Sequence, residues 1–149
     1  MCHAVYISTS STKDLTNLNS EFVRFERVMD SHSDDCVSLL EFPHKWFVGS
    51  KAGWSCTFRH LHSSSVELGF SEPVEWFEED EDELRATGEL YGALRDILSS
   101  GHSVDLVDRW EGAHPEDIVT IDVSLDNVCE KAFRLFENHR FSLKKEKIQ

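Results

Sequence analysis

The stretch Glu78–Trp110, EEDEDELRATGELYGALRDILSSGHSVDLVDRW, decides the fold class. Within it Leu84, Tyr91, Leu94 and Leu98, flanked by Leu90 and Ile97, recur at helical spacing, which predicts an amphipathic helix over Glu78–Ser100. The acids that open it suit the positive end of a helix dipole, and Gly101 stands where a C-terminal cap belongs. Val104–Trp110 then reads as a strand, and Ile118–Val123 as a second one across the turn residues Glu111–Glu116. These two strands are expected to form an antiparallel pair. Downstream, Leu125, Val128, Cys129, Ala132, Phe133, Leu135 and Phe136 make a broad apolar stripe at three- and four-residue spacing, with Ser124 as N-cap, so a second packed helix is expected over Leu125–Phe136. That spacing also assigns Cys129 to the core.

Upstream of the helix the segments are short. Cys2–Ser8 is β-rich, the hydroxyl run Ser8–Thr12 offers caps for a short helix near Lys13–Leu18, and Phe22–Val28 reads as a strand. Lys45–Val48 and Ser55–Leu61 look like two strands of a hairpin joined by Gly49–Trp54, and Val66–Phe70 like a further strand. The expected fold is therefore α+β: one domain over residues 1–137, with an antiparallel or mixed sheet of about five to seven strands covered by two main helices. Residues 138–149, with Arg140, Lys144, Lys145 and Lys147, read as a basic, frayed tail.

Composition narrows the function classes. The chain has 149 residues, 40% of them hydrophobic, and a formal net charge of −13, which suits a globular domain with a core of its own. A negative surface field repels phosphate backbones and anionic headgroups, so nucleic-acid and membrane partners are not expected. The chain lacks an apolar run of membrane-spanning length and a signal-like start, and the expectation is a cytoplasmic protein. Its four cysteines are then expected as free thiols.

The candidate chemistry lies in two sulfur and imidazole clusters. Cys2-His3 opens the first strand, and Cys56, His60 and His62 follow the glycine-flanked turn. Thiolate and neutral imidazole are the donors for borderline-soft ions, and thiolate is also the strongest protein nucleophile. Residues four apart on a strand stand about 13 Å apart, so Cys56 and His60 cannot share one ion if Ser55–Leu61 is regular. A site then draws on several strands. Cys2 is the expected partner of Cys56, with His60 or His62 as third ligand or as base. Because Cys2 and His3 face opposite ways on a strand, Cys2 is chosen over His3. The candidate set is Cys2, Cys56, His60 and His62, serving a transition metal such as zinc or thiol chemistry. The competing account makes Cys2 and Cys56 small core residues.

No nucleophile, base and orienter can be read together, so whether the chain is an enzyme is open and catalytic residues stay unassigned. The alternative function is a non-catalytic interaction or dimerisation module, using the acidic run Glu78–Glu83 or an aromatic patch to bind a protein partner or a second copy.

The opening Met1–Ser10 (MCHAVYISTS) and Val48–Phe58 (VGSKAGWSCTF) resemble a family of small uncharacterised bacterial proteins that begin Met-Cys and carry Gly-Ser-x-x-Gly-x-Ser-Cys-x-Phe. The resemblance covers about a sixth of the chain and implies no activity. It does mark Cys2 and Cys56 as a pair.

Overall fold

The computed structural model describes residues 3–28, 35–51, 53–72 and 80–143. The chain is α+β, as its sequence predicts. Its strands are β1 (His3–Thr9), β2 (Val23–Arg27), β3 (His44–Ser50), β4 (His60–Leu61), β5 (Val104–Trp110), β6 (Val119–Val123), β7 (Leu135–Phe136) and β8 (His139–Leu143); its one long helix is α1 (Glu81–Ser99). Six strands form a mixed sheet in the order β2-β3-β1-β5-β8-β6, and β4 pairs with β7 in a separate two-stranded ribbon. Every pairing in the large sheet is antiparallel except β6 with β8.

Helix α1 forms where its spacing predicts. The Asp80 side chain accepts the Asp82 amide at 2.7 Å, and Glu81, Asp82 and Glu83 occupy the first turn. Residues 78 and 79, also expected in the helix, lie outside the described residues. Ala86, Leu90, Ala93, Leu94, Ile97 and Leu98 are buried. They join Val5, Ile7, Trp46, Leu106 and Phe141 of the sheet in the main core. Gly101 ends the helix at φ 84°, a conformation that spares glycine the penalty of a Cβ. The other sheet face carries a smaller cluster around Tyr6, Leu40 and Val107. No helix among the described residues is long and apolar enough to cross a membrane.

Several expectations need correction. The stripe 125–136 is not a helix: it begins as a 3-10 turn at Leu125–Asn127 and ends in β7. Its carbonyls are claimed from outside, Val128 by the Tyr91 hydroxyl at 2.5 Å and Lys131 and Phe133 by the Arg59 guanidinium at 2.9 Å each. The apolar residues still reach the core, where Phe133 and Phe136 stack on Phe70, but Cys129 is exposed and free. Residues 139–143 are not a frayed tail. They are β8, an interior strand held between β5 and β6, with Phe141 and Leu143 buried. Asn138, at φ 57°, turns the chain into it and accepts the Trp110 amide on Oδ1 at 2.9 Å. Residues 144–149 lie outside the described set.

The expected pairing of β5 with β6 is absent because β1 and β8 already take both edges of β5. The Lys45–Leu61 hairpin fails for the same reason, since β3 is filled by β1 and β2. A turn does close, with Gly53 donating to Ser50 O at 2.8 Å, but the returning chain leaves the sheet and regains strand form only at β4. Val66 lies in a 3-10 turn over Ser63–Leu68 instead of a strand.

On the smaller-cluster face, Asp105 is buried and fully engaged. It accepts the Glu41 amide at 2.9 Å, the Ser8 hydroxyl, and Arg140 Nε and Nη2 at 2.9 and 2.6 Å. This ion pair fixes β8 to β5 and anchors the loop before β3.

Candidate functional site

An imidazole–carboxylate cluster forms where the large sheet meets the β4–β7 ribbon. In the register of β1 with β5, His3 lies opposite Trp110 and Val5 opposite Asp108; in that of β5 with β8, Asp108 lies opposite His139. Strand alternation therefore puts His3, Asp108 and His139 on the face that also carries Ile7, Leu106 and Phe141. The ribbon brings His60 on β4 and, one residue beyond β7, Glu137. Three of these residues, His3, His60 and Asp108, have ligand-type atoms all within 4.8 Å of one another.

Asp108 is fully buried and receives two imidazoles. His60 Nδ1 donates to Oδ2 at 2.7 Å, and His3 Nδ1 donates to Oδ1 at 3.1 Å. The other nitrogen of His60, Nε2, lies 2.6 Å from the Ser55 carbonyl, which can only accept. A ring flanked by a carboxylate and a carbonyl must carry both protons, so His60 is an imidazolium. Burial alone pushes the His60 ring down. The charge of Asp108, the hydrogen bond to it and the Ser55 carbonyl more than offset that, and the ring is held above its ordinary value. Asp108 mirrors it: burial pushes its carboxyl up, but His60 and the bonds from both rings hold it below the usual range.

The two rings stack, with centroids 3.6 Å apart and planes 8° from parallel, and the Trp110 ring meets His3 edge-on. This arrangement decides which atoms can hold an ion. Imidazole ligates in its own plane at about 2.0–2.1 Å, so an ion in the plane of one stacked ring stands well off the plane of the other. His3 and His60 cannot share an ion while stacked, and both nitrogens of His60 are already committed. His60 and Asp108 are thus the frame of the site.

The open donors lie one step outward. Because His3 donates from Nδ1, its Nε2 carries the lone pair when the ring is neutral, and this atom is 3.9 Å from Glu137 Oε2. The Glu137 side chain is 9% exposed, and its other oxygen lies 3.9 Å from Nε2 of His62, a ring that is 68% exposed. Among the described residues no hydrogen bond reaches the Glu137 carboxylate; both neighbours stand too far away for one. His62 is oriented by Ser64, whose amide donates to its Nδ1 at 3.2 Å.

Of the sequence-predicted set, His60 enters the cluster as its charged frame and His62 lies at its rim. Cys56 is disulfide-bonded, against the expectation of free thiols, and flanks Ser55, the residue that receives His60. Cys2 lies outside the described residues. His3, passed over in favour of Cys2, is central. Asp108 and Glu137 escaped notice, although Asp108 left a signal: in Val104-Asp105-Leu106-Val107-Asp108 the second acid falls in phase with inward-facing Val104 and Leu106. Glu137 left none, because its place depends on β7 and β8, whose sequences carry helix-like spacing and tail-like charge. Comparison of the chain with protein-family models, curated proteins and solved structures gives no match.

Proposed function

We propose that the protein binds a divalent transition-metal ion of the zinc class, with His3 Nε2 and the Glu137 carboxylate as its principal protein ligands. The observation that carries this is Glu137: its side chain is 9% exposed, and its two carboxylate oxygens lie 3.9 Å from Nε2 of His3 and 3.9 Å from Nε2 of His62, so three ligand-type groups converge on one gap. A cation seated between this carboxylate and His3 Nε2 replaces a contact too long for a hydrogen bond with two short ligand bonds. With ligand bonds of about 2.1 Å, a tetrahedral ion sets its donors about 3.4 Å apart, so His3 and Glu137 need to close by about half an ångström. Asp108 supports this role, since metal-binding histidines commonly donate their second nitrogen to a carboxylate that fixes the ring. His62 can swing in from the rim as a third donor.

The test is Zn2+ titration by calorimetry of chelator-stripped protein with its disulfide intact. Wild type is expected to take one equivalent, His3→Ala and Glu137→Gln to lose at least tenfold in affinity, and Asp108→Asn about 10–100-fold. Glu81→Gln, at the acidic helix start, controls for binding to the charged surface and is expected to behave as wild type. Absence of wild-type binding, or equal binding by His3→Ala and Glu137→Gln, refutes the proposal.

A further inference from the structure

The large sheet has two outer strands, β2 and β6, and their edges differ. On β2 the outward main-chain groups are taken by the preceding turn: the Ser20 amide donates to Val23 O at 2.9 Å, and the Phe25 amide to Asn19 Oδ1 at 2.6 Å. On β6 the Val119 amide donates to Asn138 O at 3.1 Å, toward β8. By strand alternation Ile121 and Val123 face β8 too, and the amides and carbonyls of Thr120 and Asp122 point away from the sheet. Among the described residues no hydrogen bond reaches these four groups, and Thr120 and Asp122 are exposed. The side chains of this edge have two characters. Val119, 53% exposed, shares a sheet face with Ile121 and with Val123 of the main core, while Thr120 and Asp122 stand on the other face. From Pro115 to Glu130 the chain carries Glu116, Asp117, Asp122, Asp126 and Glu130, with no lysine or arginine.

We propose that β6 takes an extended basic segment of a partner protein as a seventh strand of the large sheet. An open sheet edge is a template for another strand, and Thr120 and Asp122 each supply one N–H donor and one C=O acceptor for it. Alternation sets the sequence such a segment needs: a lysine or arginine across from Asp122 on one face, and an apolar residue beside Val119 and Ile121 on the other. The acids along the edge give that segment its charge complement. A second copy of this chain is the poorer occupant, since each copy has a net charge of −13 and brings the same acids together.

The test titrates a dye-labelled, end-blocked peptide of alternating lysine and valine, six residues long, into the full chain and follows its anisotropy. Saturable binding is expected, weakening as salt rises. The glutamate–valine counterpart, and the lysine peptide with Asp122→Lys, should bind at least tenfold more weakly. Thr120→Pro removes an outward N–H that the β8 pairing does not use, and Val119 before it is already in extended strand, so this variant should fold and lose at least tenfold in affinity. Thr120→Val keeps the main chain and should bind as wild type does. In wild type, bound peptide is expected to slow hydrogen exchange at the Thr120 and Asp122 amides, a readout that decides the matter if the proline variant does not fold. Absence of binding, binding that leaves those two amides unprotected, or equal binding by folded Thr120→Pro overturns the proposal. Sedimentation of the protein alone that shows a dimer, lost in Thr120→Pro, gives the edge to a second copy and overturns the basic occupant.

Discussion

Asp108→Asn tests the frame of the site directly. The substitution keeps the volume of a fully buried side chain but removes its charge, and turns one of its two acceptor positions into an NH2 that faces an imidazole N–H. Breaking a buried ion pair from one side costs about 3–5 kcal/mol, because the remaining charge stays buried. For a chain of this length each kcal/mol moves the melting temperature by roughly 2–4 °C, so a fall of about 6–20 °C is expected. Urea denaturation of chelator-treated protein should show the same loss as a lower midpoint at unchanged slope. The penalty should also depend on pH. His60 has a raised value in the folded protein, so its contribution is full below its unfolded value of about 6.5 and fades as pH rises through the raised value. Asp108 is lowered, so its contribution is present above an unfolded value of about 3.9 and fades as pH falls through the lowered one. The difference between wild type and Asp108→Asn is thus greatest at mildly acidic pH and shrinks at alkaline pH. A penalty under about 1 kcal/mol, well short of the buried-pair range, or one that stays constant from mildly acidic to alkaline pH, refutes the buried imidazolium–carboxylate pair.

Three other expectations are open to simple measurement. A chain ending at Glu137 loses β8 from the interior of the sheet and should give no cooperative melt by circular dichroism. In the folded protein, Cys129 should react promptly with a thiol reagent and Cys36, buried near Ala113, only on unfolding; equal rates contradict their placement. Gly92→Ala, on the exposed side of α1 with nothing within 4 Å of the added Cβ, should raise the unfolding free energy by about 0.5–1 kcal/mol in a denaturant titration.

The sequence discloses elements whose signals are local. Helix α1 carries cap, stripe and terminal glycine within its own length, and β1, β3 and β5 show their β-rich composition directly. It misleads where the deciding interaction is remote. The 125–136 stripe has helical spacing, yet Arg59 and Tyr91, far away in the chain, take its carbonyls. Residues 139–143 look like tail because Arg140 and neighbouring lysines read as solvent-seeking, whereas Arg140 finds Asp105 inside the sheet. The site divides the same way. A sulfur–imidazole locus near the N-terminus and the 56–62 segment was visible as residue types at two places. The two carboxylates that organise it depend on strand order, which no local spacing encodes.

His3 and Glu137 come from near opposite ends of the described chain, yet they face one another across a single gap. A ligand bridging that gap acts as a clasp over nearly the whole polypeptide. Its release therefore requires either slow dissociation from the intact fold or global opening, and its occupancy feeds into overall stability by mass action. Fragments and partially opened states that separate His3 from Glu137 then forfeit the clasp, so ligand retention serves as a gauge of complete tertiary assembly.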